Sequence, residues 1–410
     1  MPRVVAIADS DSYLKWSAAT LDALPAEWPR TQWLIRNPVQ PSDDQVRAAT
    51  RATVDRLGLA QVLVRLRRDP PDVLLLAATG PVVHSILAAG FLRRAGRRPV
   101  LICGLPGISV PATGRAIEFR AGCDLFILHS HREIDEFTDL AHQLRIPVGF
   151  VLANLPFIKQ ARDSRRVTPE SAGIPTTRAS EPGKIVFAAQ AKVPEELADR
   201  QHLLRGLSRL GDDRRVVIKL RALPGEQQTH RERLPYTELW TDLVRSEGLA
   251  ADRVEFAGGS MADALADADG FVTVSSTAAL EAIGLDVPIL VLSDFGVSAE
   301  TINEVFVDSG CLGTLTDLAA GRLRTPRPEW MQQNYFHPPE EADWIDRITD
   351  LLRQRDASGL PARSQVEVDG RRRQIRRQLR LIIPPRLLRT SGRLLRGHRR
   401  LLRRLVASGR

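Results

Sequence analysis

The run Val73-Leu74-Leu75-Leu76-Ala77 is apolar at every position, with no alternation of inward and outward residues. A strand of that kind is buried on both faces, as in a parallel sheet covered by helices on each side. The pattern recurs along the first part of the chain. Segments 3–8, 33–36, 72–77, 99–103, 123–129 and 147–152 read as strands. Segments 12–24, 43–67, 81–95 and 131–144 read as helices between several of them. Alternating β and α units predict a doubly wound sheet.

The alternation breaks at 154–183, where Asn154-Leu155-Pro156 leads into a stretch rich in Arg, Ser, Thr and Pro. That composition reads as a linker. Strands are then expected at 184–190, 215–220, 254–257, 270–274 and 287–292. Helices are expected at 195–210, 236–248, 262–267, 277–285 and 299–308, with a closing helix at 340–355. The expected organisation is α/β, with two doubly wound, Rossmann-like lobes facing a cleft. The N-terminal lobe spans 1–153, a linker 154–183, the C-terminal lobe with its closing helix 184–356, and a linker with a basic tail 357–410. A chain of 410 residues is long enough for two cores. Ligands are expected where the carboxyl ends of the two sheets face each other.

The net charge of +9 is unevenly distributed. Residues 371–410 hold 15 Arg and no acid, leaving 43 basic against 49 acidic residues in the first 370. A nucleic-acid-binding body needs a basic face of its own, so that class is disfavoured. Cys103, Cys123 and Cys311 are odd in number and widely spaced, which suggests neither a disulfide framework nor a zinc site. The start of the chain lacks the pattern of a secretory leader, and no window is apolar enough to span a membrane. A cytoplasmic protein is expected.

The densest constellation is Gly270-Phe271-Val272-Thr273-Val274-Ser275-Ser276-Thr277-Ala278. A buried strand runs into three hydroxyl residues that open a helix, with Ser275 or Ser276 as the expected N-cap. The N–H groups and dipole of a helix start suit a diphosphate. An ordinary helix cap accounts for the same residues. Glu281 lies one turn further on, and Gly284 and Pro288 lead to the apolar strand Ile289-Leu290-Val291-Leu292.

From Val274 to Leu292 the chain resembles the donor-binding segment of bacterial capsule and lipopolysaccharide glycosyltransferases of GT-B architecture, including sialyltransferase-like enzymes. The whole chain also resembles an actinobacterial family of glycosyltransferases. The resemblance implies that Ser275, Ser276 and Thr277 bind nucleotide phosphate. It also implies a Lys-x-His-Pro element after the second strand of the C-terminal lobe. Lys219 matches in place, whereas Arg221 stands where the His would be and the His-Pro pair is absent. Arg221 could hold phosphate bidentately, and Gln190 could contact the donor or cap a helix. The implied activity is sugar transfer from a nucleotide-activated donor to a cell-envelope polysaccharide or lipid-linked acceptor. A polyol-phosphate transferase, a nucleotide-sugar epimerase and a non-catalytic scaffold remain as alternatives.

On the acceptor side, inverting transfer needs a base for the acceptor hydroxyl. Asp9 and Asp11 follow the first strand and are candidates, although either Asp11 or Ser12 could simply cap the next helix. The Gly/Pro-rich loop carrying Gly107, Ser109 and Thr113 suits an acceptor site, with His129 as a further acceptor-side group and the nearby Glu118 as a third catalytic candidate. Asp9-Ser10-Asp11 is the wrong lobe for a donor-phosphate metal, so metal-independent transfer without a cofactor is expected. The triplets Arg386-Leu387-Leu388, Arg393-Leu394-Leu395 and Arg400-Leu401-Leu402 repeat every seven residues. On a helix the leucines form one stripe flanked by Arg, which fits an anionic membrane surface and peripheral placement on the inner face of the cell membrane, with nucleic acid, a partner helix or a solvated tail as alternatives.

Overall fold

A computed structural model describes residues 1–37, 41–50, 52–158, 183–210, 214–220 and 233–368. Seven strands form one parallel sheet: β1 (Val4–Ala8), β2 (Arg30–Ile35), β3 (Val54–Leu57), β4 (Val73–Ala77), β5 (Val100–Gly104), β6 (Leu125–Leu128) and β7 (Gly149–Leu152). Their order is β3-β2-β1-β4-β5-β6-β7. A second parallel sheet holds β8 (Gly183–Ala188), β9 (Arg214–Lys219), β10 (Val254–Ala257), β11 (Gly270–Thr273), β12 (Ile289–Leu292) and β13 (Leu312–Gly313), in the order β10-β9-β8-β11-β12-β13.

Both faces of each sheet are covered, as the uniformly apolar strands require. In β4, Leu74 and Leu76 enter the core on one face, while Val73, Leu75 and Ala77 enter the core on the other. In the second lobe Val186, Phe271 and Val291 pack on one face, and Ile185, Phe187, Val272 and Leu290 on the other. Cys103, Cys123 and Cys311 are buried free thiols.

Three expectations are corrected. Segment 43–67 is not one helix. It forms the helix Asp43–Ala49, then β3, then the helix Leu59–Arg68. Val54-Asp55-Arg56-Leu57 carries too little apolar pattern to mark a strand, but the open edge of β2 supplies backbone partners along Gln32–Ile35, and that pairing decides the conformation. Segment 299–308 yields only the short 3-10 turn Glu304–Phe306. The buried Asn303 side chain donates to Gly296 O (3.0 Å) and accepts from Ser298 N (3.2 Å) and Thr301 Oγ1 (2.8 Å). Such side-chain bonds offer the backbone an alternative to a helix. The closing helix, Trp344–Ser358, was grouped with the C-terminal lobe by chain order but packs on the N-terminal one. Trp344, Ile348 and Leu352 join Val4, Leu75 and Val100 in one core, and Asp343 Oδ1 accepts from Leu152 N (2.8 Å).

Residues 359–368 continue over the N-terminal lobe. Leu360 pairs with Gly96 through two 2.9 Å backbone bonds. Asp124, fully buried before β6, takes a bidentate grip from Arg98 (2.6 and 2.8 Å), a third bond from Arg363 Nε (2.7 Å) and a fourth from Leu101 N (2.8 Å). Residues 371–410, with the repeating Arg-Leu-Leu triplets, lie outside the described residues. Among the described residues no helix is long and apolar enough to cross a membrane.

Breaking a buried ion pair on one side strands the other charge. Asp124→Asn should therefore destabilise the protein by about 3–5 kcal/mol, read as a drop in the urea midpoint. Arg355→Ala, which loses a more exposed contact to Asp72 at 2.7 Å, should cost far less.

Candidate active site between the two lobes

Each sheet reverses its strand order once, between β1 and β4 in the first lobe and between β8 and β11 in the second. Crevices outside the carboxyl ends of strands at such points are where open α/β sheets place ligands. The residues singled out from sequence lie at both.

At the first reversal Asp9 follows β1 and is 2% exposed. Its Oδ2 accepts from Thr79 N (3.0 Å) and from the Thr79 hydroxyl, which ties the end of β1 to the start of the helix after β4. Its Oδ1 meets no hydrogen-bond partner among the described residues. Burial raises the carboxyl above its ordinary value, opposed by the Thr79 bonds and by Arg120. Arg120 donates to Ala78 O (3.0 Å) and Tyr13 OH (2.9 Å). Asp11 does not cap the next helix; it is the first residue of Asp11–Asp22 and pairs with Lys15 at 2.9 Å.

At the second reversal Gln190 reaches from the end of β8 to the turn after β11. Its Nε2 donates to Ser275 O (2.9 Å), and its Oε1 accepts from Ser275 Oγ (2.6 Å). Gln190 thus caps no helix, and Ser275 is not an N-cap; the two lock each other. Ser276 N donates to Thr273 Oγ1 (3.1 Å), and Ser276 Oγ accepts from Ala278 N (3.2 Å). Thr277 is the residue before the helix Ala278–Gly284 and makes no side-chain cap bond. Ser275 is buried, Ser276 half-buried and Thr277 exposed, so the turn presents its last two residues outward. Glu281 is half-buried one turn on. Burial pushes its carboxyl up to about 7, against the pull of Lys15 and Lys219. Lys219, the last residue of β9, is 6% exposed and donates to Leu220 O (2.7 Å). Arg221 lies outside the described residues.

The lobes meet across this turn. A Cβ on Gly107 would sit 3.0 Å from Thr277 Cγ2, so a glycine is what lets the loop after β5 touch the turn after β11. Lys15 of the first lobe faces Glu281 of the second. The loop is held from beneath by Glu133, which is fully buried. Its Oε1 accepts from Ser109 N (2.8 Å) and from Tyr335 OH (2.6 Å), and its Oε2 from His129 N (2.8 Å). Tyr335 belongs to the core of the C-terminal lobe, so this carboxylate joins both lobes.

Other residues singled out from sequence are placed differently. Trp16 Nε1 donates to His129 Nε2 (2.8 Å), and His129 Nδ1 lies 3.0 Å from Ala153 O. Burial pushes this imidazole down to about 4. It is a neutral ring with both nitrogens engaged inside the fold, not a cleft surface group. Thr113 caps the helix Gly114–Glu118 by accepting from Ala116 N. Glu118 closes that helix half-buried, and its carboxylate makes no hydrogen bond among the described residues.

This arrangement, two parallel doubly wound lobes with their reversal points apposed, defines the GT-B architecture. The chain belongs to the family described as "Putative glycosyltransferase (DUF6716)", which matches residues 4–351. Among curated proteins none matches. Solved structures share the fold. MnaA of S. aureus, in a co-structure with UDP, is 12% identical over 83% of this chain and 91% of its own, with a TM-score of 0.53. The UDP-GlcNAc 2-epimerase of Neisseria meningitidis, bound to UDP-GlcNAc, is 13% identical over 86% of this chain and 100% of its own, at 0.52. That of Methanocaldococcus jannaschii is 13% identical over 85% and 99%, at 0.51.

Sequence reasoning missed Lys15, Thr79, Glu133 and Tyr335. Thr79 was signalled by its place at a strand end, but the partners of Glu133 are up to 202 residues away and leave no local pattern.

Glu133 carries a pH signature. Burial pushes its carboxyl from 4.5 up to about 7. Between those values the folded chain keeps a proton that the unfolded chain has lost. The resulting stability is fully present below the lower value and is lost as pH rises through the upper one. Relative to Glu133→Gln, the wild type should lose on the order of 3 kcal/mol between about pH 5 and about pH 8. Urea titrations of both proteins at each pH measure this, and a difference that grows in favour of the wild type would contradict it.

Proposed function

We propose that this protein transfers a sugar from a nucleotide-activated donor to a polysaccharide or lipid-linked acceptor of the cell envelope. The observation that carries the reading is the Gln190–Ser275 lock, which fixes the turn after β11 so that Ser276 and Thr277 face the opposite lobe. Donor diphosphate would lie against the Thr277 N–H and the hydroxyl groups of Ser276 and Thr277, with Lys219 supplying positive charge. Family membership supports sugar transfer, and the fold shared with proteins bound to UDP and UDP-GlcNAc supports a nucleotide-linked donor.

In the proposed reaction the acceptor oxygen forms a bond to the anomeric carbon while the bond from that carbon to the diphosphate oxygen breaks. The hydroxyl proton passes to a carboxylate of the N-terminal lobe. Asp9 is the chosen base: its Oδ1 is unengaged, and its raised affinity for a proton suits general-base work. Transfer is proposed to be metal-independent, with the leaving charge held by the turn and Lys219. Peripheral attachment to the inner membrane face is proposed from the Arg-rich tail.

Calorimetric titration with UDP-, GDP-, CMP- and CDP-sugars tests the donor claim. One class should bind, and Ser276→Ala should weaken it roughly 5-fold, the worth of one hydrogen bond, while the lost bond from Ala278 N lowers the melting temperature by only a few degrees and leaves the protein folded. Binding of no nucleotide, or unchanged affinity in the variant, would sink the assignment. Acceptor-free inversion of the donor sugar would instead identify an epimerase.

A further inference from the structure

We infer that Arg200 is a positioning residue of the donor site: it sets the loop after β8 and, through Gln190, the attitude in which Ser276 and Thr277 meet a nucleotide diphosphate. That role deepens the donor reading of the turn and rests on it.

Along the helix Leu197–Ser208, residues 200, 203, 204 and 207 fall on one face. Leu203, Leu204 and Leu207 are fully buried in the core there. The spacing asks for an apolar residue at the first of the four positions, yet the chain has Arg200, only 1% exposed. Burying a guanidinium is costly unless its donors are used. Arg200 is therefore a poor choice for packing alone.

Its donors go chiefly to one loop. Strand pairing of β8 ends where Ala189 N donates to Lys219 O (3.0 Å). From that point the guanidinium takes over. Nη2 donates to Ala191 O (2.8 Å) and Gln190 O (3.2 Å), and Nε donates to Pro194 O (2.9 Å). Nη1 donates to Leu234 O (2.5 Å), in the segment that leads into the helix Tyr236–Glu247. The guanidinium carbon lies 4.5 Å from the centre of the Tyr236 ring, a cation–π contact that fixes the plane of the fork. A planar fork can serve carbonyls of two segments at fixed angles, which the single ammonium of a lysine cannot.

Gln190 is thereby held at both ends. Arg200 binds its carbonyl, and its own side chain binds Ser275 O and Oγ. Ser275 opens the turn in which Ser276 Oγ accepts from Ala278 N. Each link from Arg200 to Ser276 is thus a hydrogen bond or a covalent one. A pivot of the loop would carry the turn with it, and a misplacement of about 1 Å costs more than the loss of one hydrogen bond.

The test uses the full chain with Arg200→Lys, which keeps the charge and loses the fork. Without nucleotide, deuterium exchange at the amides of 274–278 should rise about 10-fold, while the closing helix Trp344–Ser358 exchanges as in the wild type. With the nucleotide-sugar that the wild type binds, Arg200→Lys should weaken affinity on the order of 10-fold, and Gln190→Ala by as much. The double variant should be no weaker than Gln190→Ala alone, because both changes act by one route. Arg200→Met, which fills the core position with an apolar chain, should reproduce both results. Unchanged exchange at the turn, a rise spread evenly over the C-terminal lobe, or additive losses in the double variant would each overturn the role, as would failure of both Arg200 variants to fold. Exchange needs no ligand. A wild type that binds no nucleotide-sugar would therefore refute the donor reading, while the exchange at 274–278 still decides whether Arg200 sets the turn.

Discussion

A single carboxylate stands where the two lobes join. Glu133 takes hydrogen bonds from the loop after β5, from the end of β6 and from Tyr335 of the other lobe. Without it, Ser109 N, His129 N and the Tyr335 hydroxyl would be donors with no acceptor in a dry environment, a loss of about 1–3 kcal/mol each. Burial works against the charge, and the three donors work for it. The position of Gly107 against Thr277 follows from this compromise, because the loop bearing Gly107 is pinned two residues later at Ser109.

The candidate site has the same economy. Of three consecutive hydroxyl residues, the first is used inward by Gln190, the second caps the helix start and the third faces the other lobe. A turn tied at its first residue presents the other two in a fixed attitude, which is what recognition of a diphosphate requires of a backbone. Asp9 is held in the same manner in the opposite lobe, with one oxygen bonded to Thr79 and the other left over.

Much of the fold could be read from sequence because its signal is local. Val73–Ala77 announces a strand covered on both sides, and the helix 131–144 matches the observed His131–Leu144. β3 was hidden because its four residues pair at a sheet edge, where burial is partial and the apolar signal weak. The closing helix was legible as a helix but not in its allegiance, since amphipathic spacing does not say which core receives the apolar face. The site divides along the same line. Ser275–Thr277, Lys219 and Asp9 were singled out because strand ends mark them. The Gln190–Ser275 lock and the Glu133–Tyr335 bond join residues 85 and 202 positions apart, a relation only the folded chain contains.

The N-terminal lobe is assembled from both extremities of the chain. One of its two cores needs Trp344, Ile348, Leu352 and Leu360 to cover Val4, Leu75 and Val100. During synthesis Val100 leaves the ribosome 244 residues before Trp344, and Val4 340 residues before it. At about 5–20 residues per second, that face stays bare for tens of seconds. The second lobe can close first, so the half that begins the chain is the last to become whole.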